Sequence, residues 1–160
     1  MSVSFYGNEL KNTAIGIEGR EIAFYDVLAG STKNAKAREI FQYLVGMERD
    51  HVQIFQNMLS EADKYEMPET YAGEYAAYLQ VLVCSAVFTD EMVTSELVAQ
   101  SESDIAAIEL GIGAEKDSIL FYCEMREIMP ERARSTIDRV IAEEKLHLRQ
   151  LSDPKKTLAA

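Results

Sequence analysis

The stretches IEGREIAFY at residues 17–25 and AEKDSILFY at residues 114–122 decide how this chain folds, because each introduces the same pattern in one half of the sequence. MERDH (47–51) follows the first stretch, and EEKLH (143–147) follows the second. The residues matched at an offset of 97 or 96 positions are Glu18 with Glu115, Phe24 with Phe121, Tyr25 with Tyr122, Glu48 with Glu144, and His51 with His147. The sequence therefore contains an internal repeat. Each half carries one Glu on its first quoted segment and Glu-x-x-His on its second.

Apolar residues recur at a spacing near 3.6 along both halves, which predicts an all-α protein. The four long helices predicted are A at about 8–29, B at about 34–65, C from its cap at Ser101 to about 128, and D at about 130–151. Their ends are marked by Gly30 after A, Ser101 with Asp104 before C, Pro130 at the start of D, and Pro154 after D. The long connection from B to C has an apolar middle, AAYLQVLVCSAVF (76–88), which predicts a further short helix. Two short turns and one long crossover predict a four-helix bundle in which B and C run parallel.

Six polar residues lie inside the apolar stripes of these helices: Glu18, Glu48, His51, Glu115, Glu144 and His147. Their neighbours at three, four and seven positions along a helix are largely Ile, Leu, Val, Phe and Tyr, so all six are predicted to face the core. No Lys or Arg is expected beside them. Buried carboxylates need a positive partner, and two divalent metal ions, with about four positive charges, match four carboxylates. The pattern therefore predicts a two-metal site. Its six residues match the ligand set of bundles in which carboxylates bridge two metal ions.

Composition bounds the remaining classes of function. The chain has 160 residues and a formal net charge of −11, from 16 Lys and Arg against 27 Asp and Glu. This charge disfavours nucleic acid and anionic membrane as partners. We expect one domain over residues 1–160 with its core at about 8–151, a cytoplasmic location, and no membrane span. Cys84 and Cys123 form no CxxC pair and are expected to be reduced and buried.

The two Glu-x-x-His motifs, with their upstream Glu-x6-Tyr partners, resemble the ferritin-like superfamily, and within it rubrerythrin-like proteins that lack a rubredoxin domain. The resemblance implies two iron ions held by the six residues above, with Glu48 and Glu144 as bridges. Mn or Zn in place of iron is the alternative. It also implies an oxidoreductase that reduces peroxide or dioxygen with electrons from an external donor, and a homodimer. The peroxidases of the family carry an extra Glu one turn after the helix C ligand, where this chain has Ser118.

Several functions and roles stay open at this level. A non-catalytic protein for iron binding, storage or trafficking has the same ligands, and so does a bundle stabilised by structural metal. Tyr25 and Tyr122 are predicted to pack in the core and to hydrogen-bond ligand carboxylates. Glu143 is predicted to orient His51, while Met47 at the matching place in the first half cannot do so for His147. Gly111 and Gly113, beside Glu115 on helix C, indicate a close helix contact, with room for metal entry or for a small ligand as alternatives.

Overall fold

The computed structural model describes residues 7–58, 74–86, 103–129 and 131–159. These residues form five helices and no strand, as the all-α prediction requires. The helices are α1 (Gly7–Ser31), α2 (Ala35–Asn57), α3 (Glu74–Cys84), α4 (Asp104–Ile128) and α5 (Glu131–Ala159). Predicted helices A, B, C and D correspond to α1, α2, α4 and α5, and α3 is the short helix expected in the crossover.

The turn between α1 and α2 is fixed by side chains that satisfy free backbone groups. Asn34 is the N-cap of α2, and its Oδ1 accepts a hydrogen bond from the Ala37 N–H at 2.9 Å. Thr32 Oγ1 accepts from the Asn34 N–H at 3.2 Å and donates to Asp104 Oδ2 at 3.1 Å. This hydroxyl therefore ties the first turn of α4 to the loop that joins α1 and α2.

Three predicted helix boundaries need comment. The N-cap of α4 is Ser103, whose Oγ accepts from the Ala106 N–H at 3.2 Å, so the prediction of Ser101 as the cap is wrong. Helix α2 ends at Asn57, with Met58 as its C-cap, and the rest of predicted helix B, residues 59–65, lies outside the described residues. Pro130 also lies outside them.

Helix α5 continues through Pro154 to Ala159, so the prediction that Pro154 ends the last helix is wrong. Proline has no N–H to donate to the carbonyl four residues earlier and normally breaks or kinks a helix. Here the apolar stripe continues past it: Leu151 and Pro154 are buried, and Leu158 packs against the core. Burial of this added turn opposes the loss of one backbone hydrogen bond.

The bundle is two antiparallel hairpins, α1 with α2 and α4 with α5, packed against each other. Tyr25 meets Glu115 and Tyr122 meets Glu18, so α1 and α4 are antiparallel, and α2 and α4 run parallel as predicted. Two apolar clusters fill the interior. One includes Phe24, Phe41, Leu44, Ile108 and Leu151, and the other includes Leu10, Phe55, Phe121, Met125 and Ile137. On each of the four long helices, the polar residues of the repeat lie between the parts of the helix that contribute to these two clusters.

The crossover helix α3 covers one side of the second hairpin, where Leu79 is buried in the second apolar cluster. Its opposite face is open, and Val81 is 61% exposed. Cys84 at the end of α3 and Cys123 on α4 are free and exposed, so the prediction of buried thiols is wrong. Cys123 directly follows the buried Tyr122, and consecutive helical residues point in different directions.

Candidate metal centre

Each long helix supplies part of a single buried cluster, which we call the Glu/His centre. Its members are Glu18 from α1, Glu48 and His51 from α2, Glu115 from α4, and Glu144 and His147 from α5. All six are 0% exposed. The structure thus brings together all six residues that were predicted to face the core.

The potential ligand atoms of the Glu/His centre fall into two overlapping groups. Glu18, Glu48, His51 and Glu144 form one, and Glu48, Glu115, Glu144 and His147 form the other; within each group the atoms lie within 4.8 Å of one another. Glu48 and Glu144 belong to both groups, which is the place of a bridging carboxylate. Each group also has one terminal Glu and one imidazole, so the two halves of the repeat build two equivalent positions.

The histidines present the same nitrogen to the carboxylates. His51 Nδ1 lies 2.9 Å from an oxygen of Glu48 and 2.9 Å from an oxygen of Glu144. His147 Nδ1 lies 3.0 Å from Glu48 and 3.2 Å from Glu144. The rings are stacked with centroids 5.5 Å apart. Each Nδ1 therefore points into the space between the two shared carboxylates.

Two tyrosines cross between the hairpins to hold the terminal carboxylates. Tyr25 on α1 donates its hydroxyl hydrogen to Glu115 on α4, and Tyr122 on α4 donates to Glu18 on α1. Both rings are buried and also pack against Phe residues, so the predictions of packing and of hydrogen bonding are both confirmed. A Cβ on Gly111 would lie 3.2 Å from Tyr25 Cε1, which confirms the predicted close contact at this glycine.

The two histidines differ in what holds their outer nitrogen. His51 Nε2 is 2.8 Å from Glu143 Oε2, as predicted. His147 Nε2 is buried and has no hydrogen-bond partner, since the matching residue in the first half is Met47. An acceptor on the outer nitrogen fixes the orientation of a ligand imidazole. The two ligand positions are therefore equivalent in their inner residues but not in their support.

Burial and close contacts shift the pKa values of several groups in the Glu/His centre far from their ordinary values. Burial raises the pKa of Glu18 and of Glu115 well above the ordinary value for a carboxyl group. Burial lowers the pKa of His147, but contacts with Glu115, Glu144 and Glu48 outweigh it and raise the pKa to about 12. His51 shifts in the same direction. Burial opposes ionisation of Glu144 too, yet both imidazoles hold its pKa at about 2.

Several buried atoms of the centre also lack any hydrogen bond. They are one oxygen each of Glu18, Glu115 and Glu144, both oxygens of Glu48, and His51 Nδ1. Orphaned polar atoms in an apolar interior are costly unless something satisfies them. Their number and their convergence fit a pair of cations with oxygen and nitrogen ligands. The donor set therefore fits the metals that the sequence predicted.

The sequence reasoning missed one residue at this site. Glu21, one helical turn after Glu18, is 1% exposed, and Ser118 Oγ donates to its Oε1 at 2.5 Å. Burial raises the pKa of Glu21, and repulsion from Glu115 and Glu18 raises it further. The signal was available, because Glu21 and Ser118 are matched by the same offset of 97 residues as Glu18 and Glu115.

Lys11 corrects a second expectation. It lies seven residues before Glu18, on the same side of α1, and is 1% exposed. The α1 stripe therefore contains a buried Lys, although the sequence was read as having no Lys or Arg there. A long apolar stem allows a Lys to follow such a stripe for much of its length.

A pocket reaches this region from between α1, α3 and α4. Its apolar walls include Ile17, Phe121, Leu82 and Val83, while Glu21, Ser118, Arg20 and Asp117 supply its polar lining. Of the buried carboxylates, Glu21 alone lines it. The pocket therefore approaches the Glu/His centre from the side on which Glu21 lies.

Comparison with known proteins agrees with this arrangement. Residues 9–154 match the family model described as Rubrerythrin. The chain belongs to the rubrerythrin family. A solved structure from Thermotoga maritima, described as a ferritin-like diiron-carboxylate protein, has a TM-score of 0.72 and 24% identity, over 96% of each chain. At that identity the likeness shows the ferritin-like fold. No curated protein compared with the chain matches it.

Family membership confirms the resemblance on which the sequence prediction relied. The ferritin-like fold and the buried Glu/His centre are compatible with a two-metal carboxylate site in this rubrerythrin-family chain. In the described part of the chain, no helix is both long enough and apolar enough to cross a bilayer.

Proposed function

We propose that this rubrerythrin-family chain is a di-iron oxidoreductase that reduces peroxide, or dioxygen, at the Glu/His centre. The observation that supports it most is the pair of overlapping ligand groups that share Glu48 and Glu144. A site for one ion needs no such duplication. Glu48 and Glu144, as members of both groups, would hold two ions side by side rather than one ion alone.

The residues divide the work of holding the ions. Glu18 and His51 would hold one ion, Glu115 and His147 would hold the other, and Glu48 and Glu144 would be shared between the two. Carboxylates favour iron in this setting, because their negative charge stabilises the ferric state and they change between bridging and chelating modes. Tyr25 and Tyr122 limit how far the terminal carboxylates move.

Reduction of hydrogen peroxide to two water molecules takes two electrons and two protons, and a pair of ferrous ions supplies the electrons when bound. The chain contributes the burial of the site and an access route. The pocket between α1, α3 and α4, lined by Glu21 and Ser118 among apolar residues, is the candidate route for a small oxidant. An external donor must then return the two electrons.

The direct experiment is metal analysis and peroxide turnover with protein purified without oxygen and loaded with ferrous iron. We expect two iron ions per chain and turnover faster than that of the same concentration of free iron. His147→Ala should lose one ion and most turnover, whereas Lys145→Ala, an exposed change on the same helix, should retain both. Two ions per chain in His147→Ala, or turnover no faster than free iron, would contradict the proposal.

Further measurements separate the alternatives. Storage requires many iron ions per chain within a large closed assembly, which a sizing column and iron loading detect. A structural site would hold zinc as well as iron and leave peroxide untouched. A homodimer, a cytoplasmic location and an external electron donor stay predictions, and the sizing column tests the first of them.

A further inference from the structure

Glu21 is an unusual residue for a protein core. Glu is almost never fully buried unless it is paired or bound to a cation, yet Glu21 is 1% exposed. Its Oε1 accepts one hydrogen bond from Ser118, and its Oε2 has no hydrogen-bond partner. Ser118 has a single hydroxyl hydrogen, which it also directs towards the Ala114 carbonyl at 3.1 Å. One shared hydrogen bond is weak compensation for a buried carboxylate.

The position of Glu21 relates it to the metal centre. It lies three residues after Glu18, and Ser118 lies three residues after Glu115, so the repeat places Glu21 and Ser118 in equivalent places in the two halves. Glu21 belongs to neither of the two overlapping ligand groups described above. The Ser118 contact holds its carboxylate against α4, and Glu21 also lines the pocket.

The surroundings also indicate which of the two ligand positions Glu21 serves. Ser118, which donates to the Glu21 carboxylate, lies one helical turn after Glu115 on α4. Glu115 shares a ligand group with His147, which is the histidine whose outer nitrogen has no acceptor. A position with a less firmly held imidazole has the most to gain from another ligand.

We propose that Glu21 is a seventh ligand, which exchanges its hydrogen bond from Ser118 for the metal ion held by Glu115 and His147. The proposal rests on the di-metal function proposed above and names a further residue of that site. This carboxylate lines the pocket, whereas none of the six inner ligands does. Five carboxylates also balance one more positive charge than four, which favours loss of an electron from the metal pair.

The test measures binding of Co²⁺, whose visible absorption reports its coordination. This measurement does not depend on turnover. We expect the full-length chain to bind two Co²⁺ ions. Glu21→Gln should lower the affinity for one Co²⁺ ion about tenfold or more and alter the visible spectrum of that ion. The affinity for the other ion should stay within about twofold of its value in the unaltered chain. Ser118→Ala, which removes the hydrogen bond but keeps the carboxylate, should bind both ions within about twofold of the unaltered chain.

A double exchange distinguishes a ligand from a merely buried acid. Glu21→Ser combined with Ser118→Glu moves the carboxylate to the equivalent place in the other half. We expect it to restore tight binding of two ions, with the extra ligand now on the ion held by Glu18 and His51. Restored helix content and unfolding midpoint without restored binding would overturn the proposal.

A crystal structure of the unaltered Co²⁺-loaded chain gives an independent answer that needs no variant. We expect a Glu21 oxygen at about 2.0–2.2 Å from the ion next to His147, as for other carboxylate ligands. Glu21 still bonded to Ser118 with both ions present would overturn the proposal, as would unchanged Co²⁺ binding by Glu21→Gln. Fewer than two ions in the unaltered chain would instead contradict the proposed di-metal function itself.

Discussion

The unequal support of the two histidines predicts unequal metal positions, and Glu143→Ala tests this most sharply. His51 Nε2 is 2.8 Å from Glu143 Oε2, whereas His147 Nε2 has no partner. Loss of such an outer acceptor typically lowers metal affinity by about 10–100-fold. We therefore expect the change to weaken the ion bound by His51 and to leave the ion bound by His147 nearly unaffected.

The structure places the expected loss at the lower end of that range. Glu143 is 26% exposed, and its other oxygen is 3.3 Å from Arg139 Nε, so its negative charge is partly neutralised. Water can also replace the lost carboxylate from the exposed side. We expect about a tenfold loss at one position, which corresponds to about 1.4 kcal/mol. Glu143→Gln keeps an acceptor oxygen, so its loss should be smaller.

The assay is competition between the protein and a chelator for Co²⁺ or Zn²⁺, fitted with two affinities. Met47→Ala is the matched control, because Met47 occupies the equivalent place in the other half and offers no strong acceptor. In Glu143→Ala one of the two affinities should fall, while the other stays at its value in the unaltered chain. Equal losses at both positions, or a loss below about twofold, would show that the contact does not orient a ligand.

Two further predictions concern stability measured by urea unfolding. With metal removed by a chelator, the raised pKa of His147 should contribute stability below about pH 6.5 that is lost as the pH rises. The unfolding midpoint of stripped protein should thus fall from pH 6 to pH 9, and a rising midpoint would contradict the pKa shift. Gly111→Ala should destabilise by about 1 kcal/mol, since its Cβ would press on the held Tyr25 ring. Gly46→Ala, where a Cβ meets open space, should stabilise by about 0.5–1 kcal/mol, and equal effects would contradict this account.

The internal repeat was sufficient to predict the bundle and the six inner residues, because buried ligands occur at fixed helical spacing inside apolar stripes. Glu21 escaped notice for a related reason. Ser118 stands where the resemblance leads one to expect a carboxylate on α4, and the matching place on α1 holds Glu21. Glu21 belongs to neither Glu-x-x-His nor Glu-x6-Tyr, so neither motif points to it.

Helix ends were harder to predict than helix faces. Pro154 is a strong local signal for termination, yet Leu151 and Leu158 on either side pack into the bundle, so tertiary burial outweighs the local signal. Ser101 and Ser103 are both suitable caps by residue type, and only the backbone geometry selects Ser103. Such choices depend on contacts between distant segments, which spacing along one helix does not contain.

The tyrosine contacts exchanged between hairpins have a consequence for assembly. Each half of the chain owns three of the six inner side chains, and each half stabilises a carboxylate that belongs to the other. A peptide containing one half alone would therefore be unable to complete either position by itself. Two copies of it, related by a dyad, would regenerate both, so the continuous chain is equivalent to a covalently linked dimer whose halves differ at Glu21 and Ser118 and at Met47 and Glu143.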